Sequence, residues 1–244
     1  MSGKRCYGRP PAGVDPGGLR GALIVVEGPD ASGRSTQIAL LGEWLEERGY
    51  AVEQVGLKRS RLVAPTLDRA QEGNVLSPRT MTLFYATDFY DQLENRIVPA
   101  LRGGYVVLAD RYIYTLMARA TVRGADPEWL RTLYSMALVP DAVVFLRVSA
   151  ARLVERTLKA RASLDYWESG MDLGLARSWY DSFVIYQRRI RAVYAELQRE
   201  YGFEVVNGNR SVAAIQRDLR TRVCAVLADL FEGMDEGGGP DASG

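Results

Sequence analysis

The chain has 244 residues, of which 47% are hydrophobic and 25% charged, and this composition suits a globular protein with a substantial buried core. It contains no histidine and only two cysteines, which excludes histidine-based triads, histidine-ligated metals, metal sites built from four cysteines and a disulfide framework. The net charge of +1 argues against a broad nucleic-acid-binding surface. Since the first apolar run, residues 22–26, is short and no signal-peptide pattern is present, we expect a cytoplasmic protein without a membrane or nucleic-acid partner.

The two ends of the chain differ in composition from the middle. Eleven of the 24 glycines lie in residues 1–21 and 232–244, and the second of these segments is acidic and contains no basic residue. Such glycine-rich ends are typical of disordered tails. The sequence therefore predicts tails over residues 1–21 and 232–244 that flank one domain over residues 22–231.

Within the predicted domain, short apolar runs alternate with amphipathic stretches. The apolar runs, which predict β-strands, cover residues 23–26, 51–55, 105–109, 142–148 and 203–206. Helices are expected over residues 36–48 and near residues 78–101, 127–137, 150–160, 178–200 and 211–231. Because three of the apolar runs are nearly uninterrupted, as in strands covered on both faces, the alternation predicts an α/β fold. The expected architecture is a doubly wound, parallel five-stranded sheet with helices on both faces.

A glycine-rich loop follows the first predicted strand. Its sequence from residue 28 to residue 36, GPDASGRST, has the pattern G-x-x-x-x-G, then a basic residue, then Ser or Thr, between a strand and a helix. In this P-loop arrangement, backbone amides and the helix N-terminus bind a nucleotide phosphate. The residues predicted to bind it are Gly28, Ser32, Gly33, Arg34, Ser35 and Thr36, and the Ser35 hydroxyl is also expected to bind Mg²⁺.

The basic position of this loop is Arg34, where lysine is usual. Arginine keeps the positive charge but replaces a compact ammonium group with a wider planar fork. Arg34 could bridge the β- and γ-phosphates, or the chain could bind nucleotide and transfer the phosphoryl group slowly. The sequence leaves both alternatives open.

A second charged motif stands at the end of the third predicted strand, where Asp110, Arg111 and Tyr112 follow the apolar run. Ligands of open parallel sheets bind at the carboxyl ends of the strands. We therefore expect Asp110 to reach Mg²⁺ or its water ligands and Arg111 to reach a phosphate. The alternative is a surface ion pair that contributes little.

With these two elements, the chain resembles the thymidylate kinase family of P-loop nucleoside monophosphate kinases. The matching stretches cover residues 26–37, 83–88, 97–101, 110–112 and 140–141. The resemblance implies phosphoryl transfer from ATP, with Mg²⁺, to a nucleoside monophosphate, and dTMP is the first candidate for the acceptor. It also implies a homodimer.

The resemblance implies roles for individual residues on the acceptor side. Asp30 is similar to the family carboxylate near the acceptor's phosphate and sugar, and Arg111 to the arginine that holds the acceptor phosphate. Tyr85 lies where the family places an aromatic ring against the base. Arg59 resembles another arginine for the acceptor phosphate.

One departure from the family concerns the base. Four residues after the stacking aromatic, the family places an arginine that reads the thymine edge, and this chain has Phe89. Phe89 and Tyr112, with Tyr90 and Tyr114, are predicted to form an aromatic acceptor pocket, and ordinary core packing is the alternative. Phe89 therefore leaves open a kinase of the same fold with another nucleotide or nucleoside acceptor. Arg34 leaves open a nucleotide-binding regulatory protein with little turnover.

A predicted lid follows the fourth strand. Four basic residues are spaced by four, three and two positions there: Arg152, Arg156, Lys159 and Arg161. The resemblance implies a mobile lid whose arginines close over the ATP phosphates, and a solvated charged helix face is the alternative. The catalytic charges are accordingly assigned to Asp30, Arg34, Arg111, Arg156 and Arg161. The aromatic and acidic stretch 164–172 is expected at a pocket edge or in a dimer contact.

Overall fold

The protein is described from a computed structural model that covers residues 3–73, 76–161 and 166–235. Five parallel strands form one sheet in the order β2-β3-β1-β4-β5. The strands are β1 (Ala22–Glu27), β2 (Val52–Gly56), β3 (Val106–Asp110), β4 (Ala142–Arg147) and β5 (Glu204–Asn207). The predicted parallel five-stranded sheet is thus confirmed.

Both faces of the sheet are covered, which explains the uninterrupted apolar runs. In β1, Leu23 and Val25 pack into one hydrophobic cluster, whereas Ile24 and Val26 pack into another on the opposite face. Successive side chains of a strand point to opposite faces, so a strand buried on both sides needs apolar residues at every position.

The helices form one layer on each side of the sheet. On the face of Ile24 lie α1 (Arg34–Glu46) and α9 (Val212–Asp235). On the other face, the main packing helices are α3 (Pro78–Gln92), α5 (Ile113–Val122) and α8 (Trp179–Tyr201). The remaining helices are α2 (Ala64–Gly73), α4 (Val98–Arg102), α6 (Pro127–Leu133) and α7 (Ala150–Arg161).

Some helices differ from the prediction. The single helix expected over residues 78–101 consists of α3, a π-helical turn over Leu93–Ile97, and α4. Two helices, α2 and α5, were not predicted. Both have ten residues, and α5 starts without a side-chain cap, whereas the shorter predicted helix α6 starts with the capping residue Asp126 and with Pro127.

The N-terminal segment differs from the disordered tail predicted over residues 1–21. In its described part, Cys6 forms an antiparallel bridge with Leu138, and the hydroxyl groups of Tyr7 and Tyr114 are hydrogen-bonded. A glycine- and proline-rich segment can still be anchored by a few contacts: Tyr7 is 36% exposed, yet its ring packs edge-on against the rings of Tyr114 and Tyr201. Composition alone does not detect such isolated anchors.

At the other end, α9 extends to Asp235 and includes the first residues of the predicted acidic tail, while residues 236–244 lie outside the described residues. The division into one domain over residues 22–231 stays a prediction. None of the helices in the described ranges combines the length and apolar character that crossing a bilayer requires.

The sheet brings the two charged motifs together. Val26 of β1 pairs in register with Asp110 of β3, so the loop after β1 and the motif after β3 start side by side. The carboxyl ends of parallel strands meet at one edge of the sheet, and this edge is where ligands of such folds bind.

Candidate functional site

The phosphate loop connects β1 to α1. Gly28 and Gly33 have φ values of +149° and +90°, which residues with a side chain rarely adopt. A Cβ atom at Gly28 would also lie 3.0 Å from the carbonyl oxygen of Leu146. Since Gly33 is the N-cap of α1 and offers no side-chain acceptor, the first amides of the helix are available to an anion.

Arg34 turns back into this loop and is only 6% exposed. Its Nη1 donates hydrogen bonds to the carbonyl oxygens of Gly28 and Pro29 and lies 3.1 Å from Oγ of Ser32. Its Nε donates to Oδ1 of Asp110 over 2.9 Å. The cation predicted to face a nucleotide phosphate is therefore held by the loop itself and by the end of β3.

The two predicted metal ligands lie in contact. Oγ of Ser35 donates to Oδ2 of Asp110 over 2.6 Å. A hydroxyl and a carboxylate oxygen are the kind of ligands that Mg²⁺ takes from proteins beside nucleotide phosphates. The residues present therefore fit this ion.

On the acceptor side, Asp30 accepts hydrogen bonds from two arginines. Its Oδ1 accepts from Nη2 of Arg111, and its Oδ2 accepts from Nη2 of Arg119 over 2.7 Å. The structure thus brings Asp30 and Arg111 together, while their roles at the acceptor stay predictions. Arg119 was missed, although one signal was present: it is the single charged residue in the otherwise uncharged helix α5.

Arg111 has two features of a ligand-binding residue. Its φ is +74°, an unusual conformation for a residue with a side chain. Its Nε is buried and has no hydrogen-bond partner among the described residues. Burial, and secondarily the charge of Arg119, lowers the pKa of Arg111 to about 10, so the guanidinium remains a cation at neutral pH. A bound anion would satisfy the unpaired donor, which otherwise costs free energy.

Glu27 fixes the turn that presents Arg111, a role that the sequence analysis did not assign. This fully buried carboxylate accepts from the Tyr112 amide over 2.9 Å, from the Thr115 hydroxyl over 2.5 Å and from the Tyr194 hydroxyl over 3.1 Å. Burial raises the pKa of Glu27, and the hydrogen bonds lower it by less.

A cavity of about 820 Å³ opens beside this arginine pair. It is walled by α2, α3, α5, α8 and the segment after α7, and Arg111 and Arg119 line one part of it. Tyr85 lines the α3 wall, and its hydroxyl accepts a hydrogen bond from Nε2 of Gln71 over 2.8 Å. A base bound in the cavity could therefore contact Tyr85, which is the role that the resemblance implies for this residue.

Two predicted acceptor residues belong to the core instead. Phe89 and Tyr112 are 5% and 2% exposed, their ring centroids are 5.1 Å apart, and neither lines the cavity. The Tyr112 hydroxyl donates to the carbonyl oxygen of Leu138 over 3.0 Å. Phe89 also packs edge-on against the rings of Tyr90 and Tyr134. The expected aromatic pocket is thus corrected to core packing, the alternative stated above.

Arg59 does not line the cavity: its side chain is exposed, and its Nε lies beside Gly56 at the end of β2, where a Cβ atom on that glycine would also meet Asp110. The neighbouring Lys58 does line the cavity, with its Nζ 2.7 Å from Oδ1 of Asp68. The buried carboxylate of Asp88 fixes this loop by accepting from the amides of Lys58 and Ser60 over 2.8 and 2.9 Å. The loop thus directs Lys58 into the cavity and Arg59 towards the ends of β2 and β3.

Of the predicted lid arginines, Arg156 reaches the phosphate loop. Its Nη1 donates to the Ser32 carbonyl over 2.9 Å, and its Nη2 donates to the Gly208 carbonyl over 3.0 Å. Arg152 forms an exposed ion pair with Glu155 instead. The side chain of Arg161 lies outside the described residues.

The aromatic and acidic stretch after α7 forms an edge of the cavity in its described part, residues 166–172. Arg123, directly after α5, holds it by donating from Nε to Asp172 over 2.8 Å and from Nη2 to the Trp167 carbonyl over 3.0 Å. The Trp167 indole donates in turn to the Gln71 carbonyl over 3.1 Å. Residues 164 and 165 lie outside the described residues.

Residues 26–219 match the family model described as Thymidylate kinase. The probable thymidylate kinase 2 of Saccharolobus solfataricus is 37% identical to this chain over 205 residues, which cover 83% of this chain and 95% of that protein. The probable thymidylate kinase of Pyrococcus abyssi is 31% identical over 208 residues, covering 82% and 95%. That of Thermococcus gammatolerans is 31% identical over 213 residues, covering 82% and 94%. The chain belongs to the thymidylate kinase family of nucleoside monophosphate kinases.

Proposed function

We propose that the chain transfers the γ-phosphoryl group of ATP to dTMP and releases ADP and dTDP. Besides family membership, one structural observation supports this reaction. Arg111 lines both the large cavity and a small pocket that Gly28, Pro29 and Asp30 of the phosphate loop also line. An acceptor in the cavity would therefore present its phosphate next to the loop that binds the donor.

On the donor side, the amides of the loop and of the first turn of α1 bind the ATP phosphates. Arg156 contributes a positive charge from α7, beside the Ser32 carbonyl. Ser35 and Asp110 would hold Mg²⁺, which neutralises charge on the β- and γ-phosphates when bound. To reach a phosphate, Arg34 exchanges its contacts with the Gly28 and Pro29 carbonyls for contacts with phosphate oxygens.

On the acceptor side, Arg111 binds the phosphate of dTMP through its unpaired Nε, and Tyr85 contacts the base. The attacking phosphate oxygen is already ionised, so the reaction requires positioning and charge neutralisation rather than a strong base. A chain without histidine can perform this chemistry with arginines, a hydroxyl and carboxylates. Homodimer formation and a cytoplasmic location stay predictions from the resemblance and from the two cysteines.

The test is a coupled assay of ADP release by the full-length chain with ATP and Mg²⁺. dTMP, dUMP, other nucleoside monophosphates and free nucleosides serve as acceptors, and a reaction without acceptor measures background hydrolysis. We expect turnover with dTMP. Turnover with another acceptor only would replace dTMP in the proposal, and nucleotide binding without turnover on any acceptor would indicate a regulatory protein.

A further inference from the structure

Arg119 occupies the junction between the two parts of the site. It lines the large cavity and also the small pocket beside Gly28 and Pro29 of the phosphate loop. Its side chain is 21% exposed, so it is largely buried but accessible from the cavity. A cation between the cavity and the phosphate loop would face the phosphate group of an acceptor nucleotide bound in the cavity.

Arg119 and Arg111 form a matched pair around one carboxylate. Asp30 accepts from Arg119 through Oδ2 and from Arg111 through Oδ1. The two oxygens of one carboxylate thus hold the two guanidinium groups side by side. A phosphate group also offers two or three oxygens on one atom, and arginine forks bind such groups with charge-assisted hydrogen bonds.

Two carboxylates interact with the two guanidinium groups: Asp30 contacts both arginines, and Glu168 at the cavity edge interacts electrostatically with both. A phosphate would therefore be held by hydrogen bonds from these arginines, among them one from the unpaired Nε of Arg111. The next arginine along the chain, Arg123, caps the end of α5 and is already bound to Asp172 and to the Tyr186 hydroxyl. Arg119, unlike Arg123, lines the small pocket beside the phosphate loop.

We propose that Arg119 binds the phosphate of the acceptor nucleotide together with Arg111, and that Asp30 holds the two guanidinium groups in place before the acceptor arrives. The proposal rests on the proposed function, because it assigns a residue to the acceptor phosphate of that reaction. A role at the base is disfavoured, since Tyr85 and Gln71 lie on the walls formed by α3 and α2, whereas Arg119 adjoins the phosphate loop.

The test compares dTMP with thymidine, which lacks the phosphate, on the full-length Arg119→Gln, Arg119→Lys and wild-type proteins. Dissociation constants come from calorimetry without ATP, or from competitive inhibition where thymidine binds weakly. Loss of one charged hydrogen bond is expected to weaken dTMP binding about 10- to 100-fold in Arg119→Gln. Thymidine binding is expected to change less than about 3-fold, because the nucleoside carries no charge for Arg119 to bind. Arg222→Gln, at a partly exposed arginine of α9 that pairs with Glu204, is the matched control and should leave both constants unchanged.

Arg119→Lys keeps the charge beside Asp30 and decides the matter if Arg119→Gln fails to fold. It should weaken dTMP binding by an intermediate factor and again leave thymidine binding unchanged. Equal weakening of dTMP and thymidine, or no weakening of either, would overturn the inference. If the wild-type protein uses a different monophosphate, the same comparison is made with that monophosphate and its nucleoside, so that only the dTMP proposal fails. If no monophosphate binds more tightly than its nucleoside, both proposals fail.

Discussion

The guanidinium of Arg34 donates from Nε to Oδ1 of Asp110 over 2.9 Å, and both side chains are almost fully buried. The pair joins the phosphate loop after β1 to the motif after β3. The second oxygen of Asp110 accepts from Ser35, so the predicted metal ligands and the loop cation form one connected unit. A change at any of these residues should affect both the loop and the metal site.

Arg34→Lys is expected to bind ATP about 3- to 10-fold more tightly and to unfold at a lower temperature. The guanidinium must leave the Gly28 and Pro29 carbonyls before it reaches a phosphate, and each such hydrogen bond contributes about 0.5–1.5 kcal/mol. Lysine lacks the planar fork and keeps fewer of these contacts, so it has fewer to break. Calorimetric titration with ATP and thermal unfolding measure the two effects.

Arg34→Met separates charge from side-chain length in this experiment. It fills similar space without a cation, and it should weaken ATP binding instead. If Arg34→Lys bound ATP less tightly than the wild type at an unchanged unfolding temperature, the idea that the loop restrains Arg34 would be wrong.

Asp110→Asn tests the metal site. The amide keeps the shape of the side chain but removes the charge that faces Mg²⁺ and Arg34. We expect kcat to fall about 100-fold, on the scale of losing one preorganised charged group, and the Mg²⁺ concentration for half-maximal rate to rise. The buried Arg34 loses its ionic partner, so stability should also fall by about 1–3 kcal/mol. Steady-state assays across Mg²⁺ concentrations, with urea unfolding, measure these changes.

Asp229→Asn is the matched control for that substitution, because Asp229 is exposed on α9. It should leave kcat and the Mg²⁺ dependence unchanged. A normal Mg²⁺ dependence in Asp110→Asn would remove Asp110 from the metal site.

The fold and the loop could be predicted because their signals are local. A strand buried on both faces needs an apolar run, and the phosphate loop needs glycine where φ is positive, so both features appear directly in the sequence. The family relationship predicted from these stretches is confirmed by the matched residues 26–219. The contacts of Arg34 could not be predicted, because the carbonyls that it reaches depend on how the loop folds.

The acceptor side was harder to predict, because tertiary packing, and not a sequence pattern, decides which of its residues line the cavity and which belong to the core. Tyr85 and Phe89 lie one turn apart on α3, and from the sequence both are expected on the apolar face of this helix. Of the two, only Tyr85 lines the cavity. Which ring faces a cavity depends on the elements packed against it. Arg119 is the single charge of α5 and requires a partner once it is buried, but this signal could not be used because α5 was itself not predicted.

Tyr85 and Phe89 provide a matched pair of substitutions. Tyr85→Leu should weaken dTMP binding about 10-fold, within the range of one base–aromatic contact. Because Tyr85 is only 8% exposed, this substitution should also lower stability by about 1–3 kcal/mol. Phe89→Leu should lower stability by about 1–2 kcal/mol through lost edge-on ring contacts, with an unchanged KM for dTMP. Steady-state kinetics and urea unfolding of both variants measure this contrast. A raised KM for dTMP in Phe89→Leu at unchanged stability would indicate that Phe89 contacts the acceptor and would contradict its assignment to the core.

Glu27→Gln should remove a pH-dependent loss of stability. Burial raises the pKa of Glu27 above its ordinary value of 4.5, so the folded state binds a proton more tightly than the unfolded state. The stability contributed by this group is therefore full below pH 4.5 and is lost as the pH rises through the raised pKa. The glutamine cannot ionise, and its amide can still accept from the Tyr112 amide. The difference in unfolding temperature, variant minus wild type, should become more positive from pH 4.5 upwards and then level off. The exposed Glu43→Gln should show no such trend, and parallel curves for Glu27→Gln and the wild type would contradict the assigned pKa shift.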